Sequence, residues 1–294
     1  MAAGPLLDRE FLEKLERLTI HWQKSFAGLV GGHNRSRFPG AGQEFLDHRN
    51  FHHGDDLRAV NWRAYLRLEK MFLKMFQVEP HVPVRMLVDH SDSMMTYGGL
   101  KFEYARKLAA ALCYVGLVRL DSIEVNGFSN RLGHRVLSSG GRHRFPAVMD
   151  GIGAIAPGGG TDYVGVVREF ISSYSQRGLV IVISDFLDDG GCERALQYLT
   201  DYGNELMLLH VFAEEDRVPP WTGELELHDA ESGQEIKLDF DDQAREQYTR
   251  AFDEYASSIQ TMALRSAGRY AAVSTGQSIE SVIFGELVKM KGIA

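Results

Sequence analysis

The sequence predicts an α/β fold, a mainly parallel sheet flanked by helices, and three observations carry that prediction. Short apolar runs at Val84–Val88, Val180–Ser184 and Leu206–Phe212 have the length and β-branched content of strands covered on both faces. Stretches of helical period lie between or after them, at Lys101–Leu120, Asp162–Tyr174 and Glu193–Tyr202. Strands that alternate with such helices build parallel βαβ units. Finally, two of the strands end in acids at a turn, Asp89 and Asp185, where an open α/β sheet places its binding crevice.

Taken in order, Leu6 to Leu29 carries Leu7, Phe11, Leu15, Leu18, Trp22 and Phe26 at spacings of three and four, the stripe of an amphipathic helix ended by Gly31-Gly32. Leu68 to Glu79 alternates as an extended strand leading to Pro80 and Pro83. After the strand Val84–Val88, Lys101–Leu120 sets Phe102, Ala105, Leu108, Leu112 and Val115 on one packing face. Ser122–Phe128 reads as the next strand and Arg131–Leu137 as a short antiparallel edge. Glu224–Phe240 reads as a hairpin around Asp229-Ala230-Glu231-Ser232-Gly233. A long helix over Asp241–Ala267, a strand at Tyr270–Val273 and a helix at Ile279–Met290 complete the expected elements.

With 294 residues, 44% of them apolar, the chain can bury a substantial core in one large or two small domains. The boundary is expected near residue 80: an N-terminal helix with an Arg/His-rich segment over 1–80, and the α/β domain over 81–294. The formal net charge of −8 argues against a nucleic-acid binder that depends on bulk positive charge. Cys113 and Cys192 form neither a disulfide framework nor a thiolate metal spacing. Asp8 and Glu10 stand where a signal peptide would be basic, and no apolar run approaches the roughly 20 residues of a membrane span. A cytoplasmic protein, neither exported nor membrane-inserted, is expected.

Between His33 and Phe76, Arg35, Arg37, Arg49, Arg58, Arg63 and Arg67 alternate with histidines and aromatics. Arginine forks and aromatic faces suit phosphates and bases. Glu44, Asp47, Asp55 and Asp56 are interleaved with them, however, and residues 1–80 hold 12 Lys+Arg against 10 Asp+Glu. That excess is too small to dominate phosphate binding, which favours intramolecular bidentate pairs. Adjacent His52-His53 lacks the spacing of a zinc site.

The chemistry concentrates downstream. Asp89, Ser91 and Ser93 follow the first strand at alternate positions, so one carboxylate and two hydroxyls can converge on one point. A hard cation such as Mg²⁺ takes oxygen ligands of this kind. Gly158-Gly159-Gly160-Thr161-Asp162 reads as a flexible loop opening a helix, and Leu179–Ser184 then delivers Asp185. Asp92 and Asp162, beside these positions, are expected to cap helices.

In this order, Asp89-x-Ser91-x-Ser93, Thr161 and Asp185 resemble the metal-ion-dependent adhesion site of von Willebrand factor A-type domains. The upstream Gly40-x-Gly42-x-Glu44-Phe45, Arg49, Gly54-Asp55-Asp56-x-Arg58 and Asn61-Trp62 are similar to the bacterial domain-of-unknown-function 58 family, in which an acid is expected where Asn61 stands. The resemblance implies a von Willebrand A-like, Rossmann-type sheet. It implies Mg²⁺, or Mn²⁺ or Ca²⁺, held by Asp89, Ser91, Ser93, Thr161 and Asp185 and completed by a partner's carboxylate. It also implies work with a MoxR-type AAA+ ATPase in chaperone-like maturation of a client protein, without catalysis by this chain. The enzyme alternative is Mg²⁺-dependent phosphoryl transfer through Asp89, but the second acid such phosphatases place two residues on is here Ser91. No phosphate-binding P-loop, serine elbow or zinc-protease motif occurs in the chain.

Overall fold

A computed structural model describes residues 7–21, 37–39, 44–52, 55, 57, 60–77, 83–187, 190–231 and 233–293, with the backbone alone for 37–39, 44–48 and 74–77. Contacts divide the chain into two units, Ser25–His81 and a larger one of Met1–Lys24 with Val82–Ala294. The first helix, α1 (Arg9–Leu15), is therefore part of the larger unit.

In the smaller unit, β1 (Arg37–Pro39) and β2 (Glu44–Asn50) flank a third strand, reached through helix α2 (Trp62–Leu68). That strand, β3 (Phe72–Gln77), pairs antiparallel with both. The expected strand Leu68–Glu79 thus begins later, because Asn61 starts a helix: its Oδ1 accepts the Ala64 amide at 3.3 Å. Asparagine caps as well as aspartate does, so the position needs no charge for this role. Arg49 pairs with Asp55 through both guanidinium nitrogens, at 2.8 and 2.6 Å. This is an intramolecular pair of the kind expected of the Arg-rich segment. His33, Arg35, Gly40, Gly42, His53, Gly54, Asp56 and Arg58, and the side chains of Glu44, Phe45, Asp47 and His48, lie outside the described residues.

In the larger unit, β4 (Val84–Asp89) leads through α3 (Thr96–Val118) to β5 (Ile123–Phe128) and the antiparallel β6 (Leu132–Ser138). Helices α4 (Phe145–Gly153) and α5 (Tyr163–Ser173) lead back to β7 (Leu179–Ser184). Then come α6 (Cys192–Asp201), β8 (Glu205–Phe212), α7 (Glu214–Arg217), the hairpin β9 (Gly223–His228) and β10 (Glu235–Phe240), α8 (Asp242–Arg265), β11 (Arg269–Ser274) and the expected terminal helix, which starts as α9 (Ile279–Ser281) and continues in π form over Val282–Leu287. The six-stranded sheet runs β11-β8-β7-β4-β5-β6 and is parallel except at the β6 edge. This is the von Willebrand A-like architecture. The chain order reverses at β4, leaving the sheet's crevice between the carboxyl ends of β4 and β7.

Strand alternation builds both halves of the core. Met86, Val88, Ile181, Ile183, Leu209 and Val211 pack toward α1, α3, α4 and the terminal helix. Leu87, Val180, Val182, Leu206 and Leu208 pack toward α5, α6 and α8. The helix expected to run to Leu29 stops at Leu15. Ile20 instead bridges Ile293 in extended form, and the His21 amide donates to the Gly292 carbonyl at 2.9 Å; residues 22–30 lie outside the described set. Helix α4 was not anticipated. Its Gly151 suits the close approach to β6, since a Cβ there would lie 2.7 Å from a Val136 methyl.

Gly178 holds the start of β7 against β4, where the Leu179 amide donates to the Pro83 carbonyl at 3.1 Å. A Cβ at Gly178 would lie 2.3 Å from that same oxygen. Gly178→Ala is therefore expected to cost about 1–3 kcal/mol, read as a lower urea midpoint at unchanged slope. Gly153→Ala, where a Cβ meets nothing within 4 Å, should be neutral or slightly stabilising.

Candidate functional site

Strand β4 carries its apolar run to the carboxyl edge of the sheet and ends on Asp89, which is fully buried. Its Oδ1 accepts the Ser91 amide at 2.9 Å, an Asx turn that folds the following loop back. Ser91 Oγ then stands 3.0 Å from Ser93 Oγ. The other carboxylate oxygen accepts the Ser184 hydroxyl at 2.6 Å, with the Tyr163 hydroxyl 3.4 Å away. Ser184 is itself satisfied, since its oxygen accepts the Phe186 amide at 2.8 Å and lies 2.7 Å from Tyr163 Oη. Phe186 adopts φ 53°, a left-handed conformation uncommon for a bulky residue and of the kind that clusters at functional sites.

The Gly-rich loop is stitched onto this turn. The Gly158 amide donates to the His90 carbonyl at 2.7 Å and the Asp92 amide to the Gly159 carbonyl at 2.9 Å. Gly158 and Gly159 sit at φ 133° and 96°, where side chains are strained. Asp162 caps α5 as expected, accepting the Gly165 amide at 2.8 Å. Asp92, by contrast, makes no side-chain cap, and it is its carbonyl that accepts the Met95 amide.

Asp185 follows β7 and is also buried. Its Oδ2 accepts Lys101 Nζ at 2.9 Å, and the same ammonium lies 3.1 Å from Asp216 Oδ2. Lys101 is fully buried. Desolvation alone would lower its pKa, but Asp185 and Asp216 together outweigh that and hold it protonated, with the net direction upward. Helix α3 delivers Lys101 here because Tyr97, Gly98 and Gly99 break its first turn at φ 54°, 71° and 81°.

The electrostatics leave Asp89 exposed to its own burial. Desolvation first, and the Asp185 carboxylate second, push its pKa up to about 7. The hydrogen bonds to its carboxylate come from neutral donors. Burial drives His210, on β8 near Asp185, down to about 4, so it adds no positive charge at neutral pH. The crevice thus holds more carboxylates than cations among the described residues.

Of the five residues singled out in the sequence, Asp89, Ser91 and Ser93 meet directly, and Asp185 stands on the neighbouring strand within electrostatic reach. Thr161 lies on the stitched loop, but its hydroxyl donates to Glu231 Oε1 at 2.8 Å and its amide to Glu231 Oε2 at 2.7 Å. Lys101, Tyr163, Ser184, Asp216 and Glu231 also take part in this arrangement, and their sequence positions do not announce it. Only Lys101 carried a usable signal, a charge in an otherwise apolar stripe. A separate trio on the hairpin, Glu226, His228 and Glu235, brings ligand atoms within 4.8 Å of one another, but all three are exposed.

The donor set fits a hard cation. The Asp89 carboxylate and the Ser91 and Ser93 hydroxyls, the latter two hydrogen-bonded to each other at 3.0 Å, are hard oxygen donors of the type Mg²⁺ takes. No described helix is long and apolar enough to cross a membrane.

A profile of the family described as "Protein of unknown function DUF58" matches residues 47–257. Uncharacterised proteins of Mycobacterium bovis and Mycobacterium tuberculosis are each 25% identical over 260 residues, covering 85% of this chain and 80% of theirs. Among solved structures, the conserved hypothetical protein BatB from Bacteroides thetaiotaomicron is similar over 71% of this chain and 98% of its own, with 20% identity and a TM-score of 0.43.

Removing Lys101 leaves the buried Asp185 and the half-buried Asp216 without their cation. Lys101→Ala is expected to destabilise the fold by about 3–5 kcal/mol, measured by chemical denaturation. The double variant Lys101→Met with Asp185→Asn should recover part of that loss.

Proposed function

Since the chain belongs to the DUF58 family, whose function is unknown, we propose from its own site that it is a metal-dependent protein-interaction module. The observation that carries this reading is the turn by which Asp89 accepts the Ser91 amide and the Ser91 and Ser93 hydroxyls come side by side, in a crevice short of positive charge. Asp89, Ser91, Ser93, Thr161 and Asp185 would hold Mg²⁺, or Mn²⁺ or Ca²⁺, directly or through water. When bound, the ion supplies a positive centre that an acidic side chain of another protein can complete. The three hydroxyls are neutral donors, so they leave more of the ion's charge uncompensated than carboxylates would.

The burial of Asp89 also supports binding over catalysis. Asp89 is withdrawn from the surface, and the residue two positions on, where phosphoryl-transfer enzymes of this kind carry a second acid, is Ser91, hydrogen-bonded to Ser93. The partner we propose is a MoxR-type AAA+ ATPase acting with this chain on a client protein, and the support for it is the family resemblance alone.

Mg²⁺ or Mn²⁺ is expected to raise the thermal midpoint of the wild-type protein, by a margin equivalent to about 2.7 kcal/mol at a hundredfold excess over Kd. Asp89→Ala and Thr161→Ala should abolish that response, together with any metal-dependent capture of the ATPase. Equal metal stabilisation of all three proteins would exclude this site. Hydrolysis of a generic phosphate ester, lost in Asp89→Asn, would instead establish the enzyme.

A further inference from the structure

We propose that Glu231 is a built-in occupant of this site: the β9–β10 hairpin is a latch whose tip fills the carboxylate-accepting position from within the chain. A partner's acidic side chain must then displace Glu231 to bind. The inference rests on the interaction-module reading above and adds its regulation.

Glu231 grips Thr161 with both carboxylate oxygens, one on the amide and one on the hydroxyl, at 2.7 and 2.8 Å. Thr161 is the proposed ligand residue of the Gly-rich loop, and the contact spans 70 residues of sequence. Glu231 also lies over Gly160, where a Cβ would stand 3.5 Å from its Oε2. The turn itself aims the side chain: Asp229 Oδ1 accepts the Glu231 amide at 2.9 Å, and the Gly233 amide closes onto the Asp229 carbonyl at 3.0 Å. An acid presented at a turn tip is the form in which another protein would offer one.

The rest of the hairpin is built for release. Among the described residues its two strands pair with no other strand, and most of their residues are exposed, Ile236 to 60%. A lone two-stranded ribbon is marginal in water. Its base is anchored, however. Phe240 is buried against Tyr248 on α8, and Arg245 donates to the Pro219 and Trp221 carbonyls at 3.1 and 3.0 Å. An anchored base and a tip held by charge-assisted bonds make a tethered ligand. Such a tether presents its carboxylate at an effective concentration of order millimolar, which a partner must exceed.

The test is fluorescence anisotropy with Mg²⁺ present, using a labelled peptide of residues 226–236 of this chain as the acidic probe. The proteins are wild type, Glu231→Ala and the isosteric Glu231→Gln, each first checked for a Mg²⁺-dependent rise in thermal midpoint. The expected result is that both variants bind the peptide at least about tenfold more tightly than wild type, in line with losing charge-assisted hydrogen bonds. A peptide carrying Gln at position 231 should not bind. Hydrogen exchange at the Thr161 amide should also quicken in Glu231→Gln by a comparable factor. Variants that respond to Mg²⁺ yet bind the peptide no better than wild type overturn the latch and leave the metal site standing. A wild type and variants that all ignore Mg²⁺ overturn both.

Discussion

A carboxylate withdrawn from water at the end of a central strand is the constraint around which this molecule is arranged. Asp89 is carried inward by a run of residues that must be buried, and the sheet gives it only hydroxyl and amide donors. Those donors hold the carboxylate in place without neutralising it. Its raised pKa expresses that deficit, with desolvation the larger cause and Asp185 the second. The loop beyond β4 folds back on this carboxylate and sets the Ser91 and Ser93 hydroxyls 3.0 Å apart, hydrogen-bonded to each other.

The neighbouring carboxylate is treated differently. Asp185 receives a permanent counter-charge in Lys101, which it shares with Asp216 on α7. One acid of the crevice is therefore neutralised by the fold itself, while the other meets only neutral donors among the described residues. This division ties α3, β7 and α7 into one polar network, and such networks specify a unique core when every member is satisfied.

The hairpin adds a third element to the same arrangement. Its tip brings an acid to the loop whose hydroxyl completes the proposed donor set. Under the proposed reading, binding and release at the crevice are an exchange between carboxylates of similar chemistry, decided by tether geometry and partner concentration. The small N-terminal unit shows the same economy of charge, since Arg49 is spent on Asp55 within the unit.

The fold class, the strands ending in Asp89 and Asp185, and the association of those acids with Ser91, Ser93 and a Gly-rich Thr loop were legible in the sequence. Period-two and period-3.6 patterns record burial directly, and parallel strands must bring their carboxyl ends to one edge. The early end of α1 and the presence of α4 were not legible. The first is decided by the pairing of Ile20 with Ile293 across the whole chain, and the second by packing that overrides the weak helix propensity of Gly151 and Gly153. The place of Lys101 in an apolar stripe hinted at burial, but only the fold shows the Asp185 and Asp216 carboxylates that make a buried ammonium tolerable. The seating of Glu231 on Thr161 was likewise a tertiary decision: contacts between residues far apart in the chain leave no local periodicity, and only the folded sheet brings the hairpin tip and the loop together.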